Sequence, residues 1–112
     1  MKIDIKTCEA VYDMLINTHI LRDSGLPPGK EMEFELLDTE ENCLASYTPD
    51  PHTIGICPQR HRFLSSLIKS MIHEIIHMMN HVYGKSYIRH DKHFKDMRKL
   101  ISNEFGFDEN EI

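Results

Sequence analysis

Apolar residues recur at three- and four-residue spacing through one stretch of the chain: Phe63, Leu64, Leu67, Ile68, Met71, Ile72, Ile75, Ile76 and Met79. Neither proline nor glycine interrupts residues 60–83, and Gly84 follows. The periodicity predicts an amphipathic helix from Arg60 to Tyr83, buried along its apolar side and closed by Gly84. Near the N-terminus, Val11, Met14, Leu15, Thr18 and Leu21 predict a helix over 8–22, with Thr7 as its N-cap and Ser24-Gly25 as its end. Pro27-Pro28-Gly29 reads as a loop. Met32, Phe34 and Leu36 alternate with Glu33 and Glu35, the pattern of a strand with one buried face. Asp38 to Asn42 reads as a turn, Cys43 to Thr48 as a second strand, and Thr53 to Cys57 as a third after the Pro49-Asp50-Pro51 break. Asp91 is placed to cap a last helix running to about residue 105, with Gly106 at its end and Phe107 packing back on Ile101 or Ser102. Strands in succession followed by helices predict an α+β fold: an N-terminal helix, a small antiparallel three-stranded sheet, the long helix and a C-terminal helix. Residues 1–112 are expected to form one domain.

The long helix carries the chain's most specific chemistry. Residues 73–77 read His-Glu-Ile-Ile-His. Histidines at i and i+4 lie one turn apart on one helical face, so their ring nitrogens can converge on a cation. Glu74 sits about a quarter-turn away, where a general base stands in the HExxH arrangement. A catalytic zinc takes three protein ligands and leaves one position open. His81 continues the same stripe, but eight residues of helix put it about 12 Å from His73. With Zn–N bonds of about 2.1 Å, three rings in that row cannot meet. The third ligand must come from beyond Gly84, where His90 and His93 stand. Phe94, Met97 and Ile101 follow His90 at offsets of four, seven and eleven, which puts His90 on the apolar stripe of the next helix. His93 lies about 60° off that stripe. Spacing favours His90 over His93 and leaves both open.

HEIIH, a twelve-residue spacer, then His90 with Phe94 four further on resembles the SprT-like zinc metallopeptidases, which include the Spartan proteases. Their pattern is HExxH, a spacer, and a third histidine in HGxxF or HGxxW. The preceding order of helix, strands and hydrophobic lead-in is also similar. The resemblance covers most of residues 8–105 and is specific over 73–94. It implies a zincin-like minimal protease domain in which His73, His77 and His90 hold Zn²⁺ and Glu74 is the catalytic residue. It implies a protein or peptide substrate and, by the same route only, an association with DNA. Asp91 stands where the family has glycine, and no residues match the zinc ribbon that follows the protease core in many members.

Two classes of function fit these residues. One is a zinc-dependent endopeptidase, in which the metal activates water and Glu74 relays its proton. The other is a zinc-binding interaction module that cleaves little or nothing, its metal holding the last helix to the core. Glu74 separates them, since a structural site has no need of a carboxylate there and fills its fourth position. His93 is the nearest residue that would do so. For the enzyme, an exposed sheet edge at 43–48 or 53–57 would bind extended peptide. Tyr83, Tyr87 and Arg89 are the nearby candidates to share an oxyanion.

Charge and cysteines narrow the setting. A net charge of −5 argues against a broad nucleic-acid surface. Lys85, Arg89, Lys92, Lys95, Arg98 and Lys99 form a local exception. It reads first as a solvated helix face, and alternatively as a site for an acidic partner such as DNA. The acidic stretch 31–41 reads as exposed acids on a strand and turn. Cys8, Cys43 and Cys57 are odd in number and far apart, as expected of reduced thiols in an intracellular, cytoplasmic protein. No apolar run is long enough to span a membrane, and the N-terminus lacks the apolar core of a signal peptide. His19, His52 and His61 read as surface or capping residues, and Met71, Met78 and Met79 as core filler.

Overall fold

A computed structural model describes residues 1–112. Helix α1 spans Ile5–Ile16 and buries Cys8, Val11, Tyr12, Leu15 and Ile16. Its cap is Asp4, not Thr7. The Asp4 carboxylate accepts the Thr7 N–H at 2.8 Å and the Thr7 hydroxyl at 2.9 Å. Met14, expected inward, is half exposed. The expected continuation to residue 22 is replaced by turns. There the Asn17 amide donates to Asp13 O at 2.7 Å and the Thr18 hydroxyl to Leu15 O at 2.6 Å. Such side chains compete for the carbonyls that a continuing helix would use. Leu21 is buried all the same.

Three short strands follow: β1 (Glu33–Leu36), β2 (Ala45–Thr48) and β3 (Thr53–Ile56). Their order across the sheet is β1-β3-β2. β3 pairs antiparallel with β2 but parallel with β1, so the sheet is mixed rather than wholly antiparallel. The reason lies in burial. Ile54, Gly55 and Ile56 are all buried, so β3 takes the centre where both neighbours cover it. The chain therefore crosses from β1 to the far edge through residues 37–44, then returns by a hairpin into the middle. A capping-box turn at Asp38–Glu41 opens that crossing. β1 itself buries less than its alternation predicts. Met32 is buried and Phe34 half-buried, but Leu36 is exposed. Leu37 enters the core instead, its N–H donating to Ile56 O at 2.8 Å.

Helix α2 spans Leu64–Val82, starting four residues later than periodicity predicts. A short 3-10 turn, Pro58–Arg60, leads into it. Beneath that turn lies His61, which is buried rather than on the surface. Its ring bonds Cys57 O and Ser70 Oγ, each at 2.7 Å. α2 is covered on several sides: β2 and α3 (Lys92–Phe105) pack on it, and α1 reaches it beside β1. This accounts for an apolar surface wider than a single stripe, with Leu67, Met71, Ile72, Ile75, Ile76, Met78 and Met79 all buried. Gly84 follows with φ of 76°, a left-handed turn that favours glycine. α3 begins at the Asp91 cap, whose carboxylate accepts the Phe94 N–H at 2.9 Å. It ends at Gly106 with φ of 75°, and the Phe107 N–H donates back to Ser102 O at 2.9 Å. No helix is long and apolar enough to cross a membrane.

The centre of the sheet sets a stability prediction. A Cβ added at Gly55 would lie 2.8 Å from Ser46 Oγ and 2.9 Å from a Leu37 methyl. Gly55→Ala is expected to lower unfolding free energy by about 1–3 kcal/mol in urea denaturation. Combining it with Ser46→Ala should recover part of the loss.

Candidate metal centre

Two turns of α2 place His73 and His77 on one face, and the segment after Gly84 brings His90 to them. His73 Nε2 and His77 Nε2 are 3.1 Å apart, and His77 Nε2 and His90 Nε2 are 3.2 Å apart. The ligating nitrogens of all three rings lie within 4.8 Å of one another. Three nitrogens at about 2.05 Å from a tetrahedral ion would be about 3.3 Å apart, so two of the three spacings already match a zinc-like ion. These residues are close enough to bind one metal ion.

Phe94 is the floor of this trio. It is fully buried, and its ring centroid lies 5.0 Å from that of His73, 4.7 Å from His77 and 4.5 Å from His90. The apolar stripe of the last helix thus predicted the right neighbour, although His90 itself precedes the helix. His73 is half-buried, His77 buried and His90 exposed, so the trio opens on one side. Burial holds His77 well below the usual histidine range, at about 4, with the charges of His73 and His90 adding to it. His73 is lowered by burial and then by His90. Near neutral pH both rings are therefore uncharged and carry free lone pairs, the form a metal requires. The buried Nδ1 of His77 faces the Tyr87 backbone without closing a hydrogen bond.

Glu74 projects beside the trio into a cavity of about 350 Å³. Leu44 and Ala45 form the sheet side of this cavity, and Lys69, Ser70, His73 and Glu74 form the helix side. Residues Asn110–Ile112 close its remaining wall. Glu74 is 5% exposed, and burial pushes its carboxyl up to about 8. A cation at the histidines would favour the carboxylate form.

The other sequence candidates lie elsewhere. His93 is turned away, its Nδ1 bonded to the Asn80 side chain. His81 packs against Tyr47 and Tyr87, with centroids at 6.4 and 5.5 Å. His52 bonds the Tyr47 hydroxyl at 2.6 Å. Neither Tyr83, Tyr87 nor Arg89 lines the cavity. The Tyr83 hydroxyl instead donates to Ser24 O at 3.4 Å. All three cysteines are free and none joins the trio, and burial pushes the Cys8 thiol up to about 11.

Sequence reasoning missed the closing wall. The Lys69 ammonium bonds the Glu111 carboxylate at 2.7 Å and lies over the Phe107 ring at 5.1 Å. This holds the short 3-10 turn Glu109–Glu111 across one end of the cavity. Only the spacing of Lys69 from His73, one helical turn, pointed to that place.

Comparisons with protein-family models, with curated proteins and with solved structures gave no match. The geometry makes a direct prediction. Titrated with Zn²⁺, the protein should take up about one ion per chain and unfold at a higher temperature with the ion bound. His77→Ala should lose the ion, whereas His81→Ala should keep it, as measured by metal analysis after gel filtration.

Proposed function

We propose that this protein is a zinc-dependent endopeptidase, in which His73, His77 and His90 hold the metal and Glu74 is the general base. The observation that carries this reading is the convergence of three imidazoles beside a buried carboxylate that opens into a cavity. A His₃ donor set with an open side favours zinc. When bound, zinc supplies Lewis acidity that polarises a scissile carbonyl and acidifies a water molecule.

The chain's own residues do the rest. Glu74 takes the proton from the attacking water and delivers it to the leaving amine. Phe94 backs the trio, and His73 and Glu74 present it to the cavity, from which substrate approaches. Extended peptide binds along the free edge of β2, whose Ala45, with Leu44 just before it, walls the cavity. β3 is excluded from that part because it is central in the sheet. The N–H of Cys57 donates to Leu44 O at 3.0 Å. In an antiparallel ladder the bonding direction alternates, so the backbone groups of Ala45 and Tyr47 face the free edge. They are available to a peptide strand.

The engagement of His93 with Asn80 also supports an open site, since it removes the nearest residue able to fill a fourth position. The resemblance of residues 73–94 to the SprT-like metallopeptidases points the same way.

Two variants test this reading. Glu74→Gln should retain about one zinc per chain and lose cleavage of casein by at least about a hundredfold, within the range for general-base removal. Normal cleavage by this variant would contradict the role given to Glu74. Ala45→Pro removes one outward N–H without touching the β2–β3 ladder. It should raise KM about tenfold, as expected for the loss of one strand-addition hydrogen bond with unchanged zinc content. An unchanged KM would move peptide binding away from this edge.

A further inference from the structure

The third histidine sits on a segment with little structure of its own. Between Gly84 and the Asp91 cap there is no helix or strand. Within 86–90 the only hydrogen bond to a backbone N–H is that of Ile88 to Ser86 Oγ, at 3.3 Å. His90 is exposed. Yet its Nε2 lies within 3.2 Å of His77 Nε2. Something outside the segment must hold it there.

Asn80 does so. It lies on α2, three residues after His77, and is fully buried. Its amide Nδ2 donates to Ser86 O at 3.2 Å and to the Asp91 carboxylate at 3.3 Å. Its Oδ1 meets the Nδ1 of His93. Two pure acceptors on one side and a ring nitrogen on the other fix the orientation of the amide and put the proton on His93 Nδ1. Its own backbone carbonyl accepts the Lys85 N–H at 2.7 Å. One side chain therefore fastens the start of the segment at Ser86, its end at Asp91, and the first turn of α3 at His93. His90 lies between these fastenings, with its ring stacked on Phe94.

We propose that Asn80 is the positioning residue for His90. By clamping both ends of the 86–91 segment to α2, it sets the third imidazole at ligating distance before any ion arrives. The inference rests on the His73–His77–His90 reading of the metal centre. It gives a role to a buried amide that an apolar residue would otherwise replace at lower desolvation cost. His93 is its partner rather than a competing ligand. A preset ligand saves the ordering cost that a loose loop would levy on binding.

The test uses the metal alone. Metal-free wild type, Asn80→Ala, His90→Ala and the double variant are titrated with Zn²⁺ against a chromophoric chelator. Thermal unfolding of each metal-free form is recorded alongside. Asn80→Ala should weaken zinc binding about 10- to 100-fold, the usual effect of losing a partner that orients a ligand. Adding His90→Ala to it should weaken binding by no more than about threefold further, because both changes remove the same contribution. In the Co²⁺ form, Asn80→Ala should shift the visible absorption toward that of His90→Ala. Should Asn80→Ala not fold, Asn80→Leu keeps the volume without the hydrogen bonds and should give the same pattern. Wild-type affinity in either variant, or losses that add in the double variant, would overturn the role given to Asn80. A wild type that binds no zinc would overturn the metal-centre reading itself, and this inference with it.

Discussion

The structure depends on burying a helix that carries imidazoles. α2 is enclosed by the sheet, α1 and α3, and ten of its nineteen residues are buried. That enclosure takes His77 and much of His73 out of water and disfavours their charged forms. Two uncharged rings with converging lone pairs repel unless a proton or a cation lies between them. The third ring, from His90, closes toward the same point over Phe94. Packing thus prepares the site. The core fixes α2, α2 fixes two ligands, and the fully buried Phe94 fixes the height at which the third approaches.

The same enclosure explains the rest of the cleft. Glu74 follows a ligand directly, so the turn of the helix that sends His73 toward the trio sends Glu74 into the cavity beneath the β2 edge. Burial keeps this carboxyl protonated until a positive charge is near. A cation held by the three histidines would therefore also favour the carboxylate form of Glu74. At the far end of the cavity, an ion pair between half-buried Lys69 and exposed Glu111 holds the wall. Pairs of this kind contribute about 1 kcal/mol or less, and Phe107 and Ile112, packed against the core, add to the hold on that wall.

Much of this was legible in the residues. The long helix, its two histidines and Glu74 follow from unbroken periodicity and i, i+4 spacing. The position of Phe94 favours His90 over His93 without deciding between them, and the ends of α3 follow from Asp91 and Gly106. Other features were hidden for identifiable reasons. Strands of four residues do not announce their partners, so their succession predicts an antiparallel sheet, whereas β3 inserts between β1 and β2 and pairs parallel with β1. The early stop of α1 turned on Asn17 and Thr18 bonding carbonyls locally, an effect that apolar spacing does not register. His61 looked like a surface residue because its partners, Cys57 O and Ser70, are joined only by the tertiary fold. Asn80 lay silent within an apolar run, and the wall at 109–112 carried no pattern at all.

The most direct test of the three-histidine centre is X-ray absorption at the zinc edge on the zinc-loaded wild-type protein. Three imidazole nitrogens at about 2.0–2.1 Å, one further oxygen or nitrogen, and no sulfur are expected. A sulfur shell at about 2.3 Å, or a spectrum without the scattering pattern of three imidazoles, would contradict it.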